Sequence, residues 1–158
     1  MKKINIKTIY LVAVISIGLI CLAIGSTYAM FTTSAEINNP ITISSNLTSN
    51  DDTMETFEVE VSPSATVTKT INISSGTVSN VNYSVWYIND ISNIDIGVSS
   101  TSYTTAGTIS NANTTVTTKI SIRNNSSTTK TVTLGVALSK NSIVLASNMS
   151  LVPQKTLS

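Results

Sequence analysis

The sequence predicts an all-β fold: a two-sheet antiparallel β-sandwich, Ig-like or jelly-roll in kind, preceded by an N-terminal hydrophobic signal helix. Three observations predict it. Beyond residue 31 the chain is a series of short runs in which apolar residues alternate with Ser, Thr, Asn or Glu; a period of two marks a strand with one buried face. No stretch of that region carries an apolar stripe at helical spacing. The runs are separated by clusters of Ser, Asn, Gly and Pro, which supply turn chemistry.

The first element is the signal. Met1 to Lys7 holds Lys2, Lys3 and Lys7, and Ile9 to Gly25 is an apolar run interrupted by Ser16, ending near the tripeptide Thr27-Tyr28-Ala29. A basic start, an apolar run and small residues at the −3 and −1 positions are the parts of a secretory signal peptide. The lysines stay on the cytoplasmic side, so the chain beyond the apolar run is exported. Cleavage after Ala29 leaves a chain starting at Met30. Left uncut, residues 9–25 have the length of a short spanning helix and anchor the protein. Cys21 is the chain's only cysteine and sits inside the apolar run behind Ile20, which does not suit lipid attachment, so it reads as a small apolar residue of that run.

Gly25-Ser26-Thr27-Tyr28-Ala29-Met30-Phe31-Thr32 resembles the G-x-T-[aromatic]-A-x-F-[Thr/Ser/Asn] boundary of proteins cut by the SipW type of signal peptidase. That group includes the TasA and camelysin family of biofilm-matrix fibre proteins of Gram-positive bacteria. The resemblance implies processing at Ala29–Met30 by a signal peptidase. It also implies fibres similar to donor-strand assemblies, in which a freed N-terminal segment completes a neighbour's sheet.

The remaining elements come in order. Residues 30–56 form an extended segment and first strand, with Ile41 and Ile43 behind Pro40. A sandwich over 57–152 comes next. Phe57-Glu-Val59-Glu-Val61 alternates apolar and acidic residues, and Ser62-Pro63-Ser64 turns the chain. Val67, Ile71 and Ile73 mark a strand; Tyr83, Val85 and Tyr87 mark another, and Ile94 to Val98 a third. Residues 99–113 read as a looser region. Val116, Ile120 and Ile122 precede Val132, Leu134, Val136 and Leu138. A tight turn at 139–142 leads to short runs at 143–145 and 149–152, and 153–158 is a tail.

An internal echo runs through this region. At an offset of 49, Thr66-Val67-Thr68 meets Thr115-Val116-Thr117, Ile71 and Ile73 meet Ile120 and Ile122, and Tyr83, Val85 and Tyr87 meet Val132, Leu134 and Val136. The echo predicts two similar hairpins, neither able to bury its apolar face alone. Packed face to face, they give a core about 10 Å thick.

Composition narrows function. Nine Lys and Arg face eight Asp and Glu; without the three lysines of the signal the balance is six to eight, a net of −2. No basic patch invites nucleic acid. The sequence contains no histidine, which removes Ser-His-Asp and Cys-His nucleophile pairs and His-containing zinc sites. Glu58 and Glu60 alternate on one strand face and Asp51-Asp52 sits in a turn-like stretch, ordinary places for solvated carboxylates. The expectation is a non-enzyme without a cofactor.

Three features carry functional expectations. Phe31, Ile37, Ile41 and Ile43 lie in the stretch that fits a donated strand, which needs an extended peptide and an open sheet edge. Trp86 lies on the opposite strand face from Tyr83 and Tyr87, where it offers a platform for sugar or a neighbouring subunit. Asp90, Asn93 and Asp95 offer oxygens to calcium, although the stretch lacks the Gly and closing Glu of a calcium loop and suits turn chemistry. The expected function is an exported, non-catalytic structural protein of the cell surface or biofilm matrix, a fibre subunit joined by strand donation. Its expected partners are copies of itself or other matrix proteins. The alternative is a membrane-tethered adhesion or glycan- or protein-binding module that uses Trp86 or loop residues.

Overall fold

The computed structural model describes residues 35–36, 40–44 and 52–157. The chain divides into two units, Met1–Thr33 and Ser34–Ser158. The first unit, and with it the signal helix, the anchor over 9–25, Phe31 and the cleavage residues Thr27, Ala29 and Met30, lies outside the described residues.

Among the described residues, ten strands build the second unit: β1 (Ala35–Glu36), β2 (Ile41–Ser44), β3 (Thr53–Val61), β4 (Thr66–Ser74), β5 (Val81–Ile88), β6 (Ile94–Val98), β7 (Ala106–Ile109), β8 (Thr115–Asn124), β9 (Lys130–Ser139) and β10 (Met149–Leu151). They form two five-stranded sheets, and the fold is the all-β sandwich the sequence predicts. In the first sheet the order is β1-β4-β8-β6, with β2 on the same edge of β4 as β1; in the second it is β10-β5-β9-β3, with β7 sharing the edge of β5 with β10. From β2 to β9 the chain changes sheet at every connection.

Alternation along each strand produces the core. Val59 and Val61 of β3, Val67, Ile71 and Ile73 of β4, Val81, Tyr83 and Val85 of β5, Ile120 and Ile122 of β8, and Val132 to Leu138 of β9 at every second position all point between the sheets and are buried. At about 25 cal/mol per Å² of apolar surface, these rows are the main drive to fold, since no disulfide is available. Asn124 and Thr118 are buried polar residues in the inward row of β8, Asn124 near one end. The Asn124 Nδ2 donates to the carbonyls of Val61 and Thr128, and its Oδ1 accepts from Ser126 N and Oγ. A buried amide is tolerated when its bonds are made.

The internal echo folds differently from the hairpins the sequence suggests. β4 and β8 pair with each other in one sheet, and β5 and β9 in the other. Each copy therefore gives one strand to each sheet, because its polar connection crosses the sandwich. The pairs Thr70–Lys119 and Trp86–Gly135 each join residues 49 apart. The approximate two-fold relating the copies thus passes through both pairs. Two tryptophans would collide at such a place; one Trp and one Gly share it.

Three boundaries also differ. The looser region 99–113 contains β7, while 143–145 is not a strand. β9 and β10 are both antiparallel to β5 and flank it, so they run parallel to each other. Such strands need a long return, and residues 140–148 supply it in place of the tight turn the sequence predicts. The tail is docked: Thr156 bridges Val98, Val98 N donates to Lys155 O at 2.9 Å, and Leu157 N to Val98 O at 3.0 Å. Gly97 permits this approach, since a Cβ there would stand 2.0 Å from the Lys155 carbonyl.

Candidate functional site

The site is the edge of β4. An edge strand presents unpaired N–H and C=O groups to any extended peptide. Here β1 and β2 occupy it, both running parallel to β4, with Ala35 and Glu36 opposite Val67 and Thr68, and Ile41 to Ser44 opposite Ile71 to Ser74. Pro40 is exposed and immediately precedes β2, which suits a residue that cannot donate to a ladder. Beyond it Thr42 and Ser44 are exposed while Ile43 is buried to 4% exposure and Ile41 packs against the core. Of the four residues read as a donated strand, Ile41 and Ile43 thus face the core, and Phe31 and Ile37 lie outside the described residues.

The pairing is not continuous. Four residues separate Glu36 from Ile41, but only two, Lys69 and Thr70, separate their partners Thr68 and Ile71. The register of β2 on β4 is therefore offset by two residues from that of β1. Lys69 belongs to the core-facing row of β4, between Val67 and Ile71 and opposite the buried Ile120, and is half-buried. Sequence reading missed it, since a Lys between two valine or isoleucine positions looks like ordinary wet-face polarity until the register is known.

Trp86 is corrected from a binding platform to a buried residue. It does lie on the outer face of its sheet, away from Tyr83, yet it is fully buried. Its indole lies over Gly135, where a Cβ would meet Cζ2 at 2.2 Å. The 140–148 return crosses this face. One end is held by Asn82 Nδ2 donating to Asn141 O at 2.9 Å, the other by Asn89 N donating to Asn148 O at 2.9 Å. Trp86 sits between those anchors along β5, and its Nε1 has no hydrogen-bond partner. No sugar or subunit can stack on it in this arrangement.

Asp90, Asn93 and Asp95 fall in the β5–β6 connection and the start of β6. Asn93 adopts a left-handed φ of 61°, and its carbonyl accepts from Asn125 N at 2.8 Å. The Asp95 carboxylate accepts from Asn125 Nδ2 at 3.0 Å, while Asp90 is exposed. These contacts tie a turn to the β8–β9 connection. Among the described residues, no three His, Cys, Asp or Glu side chains come together as a metal group.

No family model matches the chain, and no curated protein matches it. Among solved structures the chain is similar to Aeromonas hydrophila PliG, a periplasmic lysozyme inhibitor of g-type lysozyme, with 9% identity and a TM-score of 0.31, over 64% of this chain and 96% of that one.

Proposed function

We propose that this protein is an exported, non-catalytic structural subunit of the cell surface or biofilm matrix, and that its subunits join by donating residues 35–44 to the β4 edge of a neighbour. The single observation that carries the reading is the placement of Ile41–Ser44 as an outermost parallel strand with Ile43 in the core. A segment that closes an edge through backbone bonds and one or two apolar anchors makes the same contacts whether it comes from its own chain or from the next. Support from the sequence is the signal boundary at Thr27 to Met30 and the absence of histidine and of any thiol outside the signal. The burial of Trp86 takes away one of the two surfaces, Trp86 or loop residues, that a tethered binding module would use.

Electron microscopy of the exported protein tests this. Filaments from the chain starting at Met30, and none from one lacking residues 30–47, are expected. Filaments of the same form from the shortened chain would end the donor role.

A further inference from the structure

We infer that residues 152–157 cap β6, and that β6 without this cap pairs with the β6 of a second copy. Sheet edges are kept from pairing by charge, proline, shortness or a covering segment. β3, which ends the second sheet, carries Glu55, Glu58 and Glu60, all exposed. β6, which ends the first sheet, has no such protection in its own sequence, Ile94-Asp-Ile-Gly-Val98. Its one charged side chain, Asp95, accepts from Asn125 Nδ2. Gly97 presents no side chain, and Ile94, Ile96 and Val98 belong to the core or pack against it.

The tail supplies what β6 lacks. Val98 N donates to Lys155 O, and Leu157 N donates to Val98 O, so both edge groups of Val98 are taken. Alternate residues of an antiparallel strand face one edge, so beyond Val98 only Ile94 and Ile96 of β6 face this one. That stretch is too short to hold a further strand. The cap is seated at three points. Val152 is fully buried and its N donates to Val85 O in the second sheet at 2.9 Å. Gln154 Oε1 accepts from Thr105 N and Oγ1, while its Nε2 donates to Tyr103 O. Leu157 is buried to 7% exposure. Without the cap, antiparallel pairing about a two-fold at Ile96 sets Ile94 against Val98 of the second copy, and Asp95 against Gly97. All the edge-facing residues then find partners and the carboxylates do not stand opposite each other. β6 and β4 lie on opposite sides of β8, with β2 beyond β4, so the cap stands or falls apart from strand donation.

Sedimentation velocity on residues 30–158, which contain the whole compact second unit, and on a chain ending at Val152 tests this. The shorter chain keeps the buried Val152 and loses the cap over β6. Its mass is expected to be double that of the intact chain. Strand donation at β4 would enlarge both chains alike, so a difference between them belongs to the cap. Ile94→Lys in the shortened chain puts a charge on the inward row of β6 and should return the mass to that of the intact chain. Gly97→Ala in the chain 30–158 lifts the tail without shortening it, because its methyl meets the Lys155 carbonyl. It gives the same reading where the shortened chain does not melt cooperatively. A mass unchanged from the intact chain in whichever of these variants folds would overturn the inference. So would a doubled mass that Ile94→Lys leaves in place.

Discussion

Gly135→Ala probes the close contact between β9 and the indole of Trp86. A Cβ at this position would stand 2.2 Å from Trp86 Cζ2, 2.5 Å from Cε2 and 2.8 Å from the Glu55 carbonyl, against an ordinary contact distance starting at 3.4 Å. The indole must retreat by roughly an ångström, or β3 must part from β9. Trp86 is fully buried, so neither movement is free. Overpacking a dense interior costs roughly 1–3 kcal/mol, and backbone on one side with a rigid ring on the other puts this case at the upper end, about 3 kcal/mol. For a domain of this size that lowers Tm by about 10 °C. Trp86 is the only tryptophan, so its fluorescence reports the same event: emission should move to longer wavelength and acrylamide quenching should rise in the folded variant. Pairing the change with Trp86→Leu should recover about 1–2 kcal/mol relative to the sum of the single effects, since the two residues touch. A Gly135→Ala protein with Tm within about 2 °C of the parent (about 0.5 kcal/mol on the same scale) and unchanged emission would refute the packing described for this face.

Other substitutions probe the two edges and the buried amide. Ile43→Ala, at a site 4% exposed, should cost about 2–3 kcal/mol in a chemical melt, because a large core side chain is truncated; a cost near zero would mean that β2 is not seated on β4. Gly97→Ala should strip the C-terminal residues from β6, since the Lys155 carbonyl occupies the space of the new methyl. Hydrogen exchange at the amides of Val98, which donates to Lys155 O, and Leu157, which donates to Val98 O, would then accelerate, and unchanged protection would contradict the docking. Asn124→Ala should cost about 2–4 kcal/mol, as it removes bonds to Val61, Ser126 and Thr128 and leaves buried groups unpaired. Asn124→Asp should not restore the loss, because a carboxylate cannot donate to those two carbonyls.

Strand identity was legible wherever one face of a strand is wet. Phe57 to Val61 falls within β3 because period-two alternation there directly reflects burial; Ile94 to Val98 falls within β6 although Ile96, Gly97 and Val98 are all buried, the C-terminal residues covering Gly97. Val144 and its neighbours Ile143 and Leu145 show where the signal fails. An apolar triplet reads as a strand, yet these residues belong to a crossover and Val144 is 84% exposed. The 49-residue echo marked the right residues and the wrong connection. Composition cannot say whether a polar linker returns to its own sheet or crosses to the other. Trp86 was placed on the correct face, but the return anchored on that face, residues 140–148, lies more than fifty positions away. At the candidate site, Pro40, Ile41 and Ile43 were visible as an edge segment; Lys69 was not, because its meaning depends on register with residues that precede it by about thirty positions.

Mixing two single-cysteine chains, Thr42→Cys and Asn72→Cys, each starting at Met30, measures most directly whether the strand on β4 passes between copies. The two positions are cross-strand partners, close enough for a disulfide when the strands are paired. Under oxidation during assembly, the account predicts Thr42–Asn72 heterodimers that accumulate with filament growth. Filaments that form with no such dimers, while a chain carrying both cysteines closes the bond within itself, would contradict it.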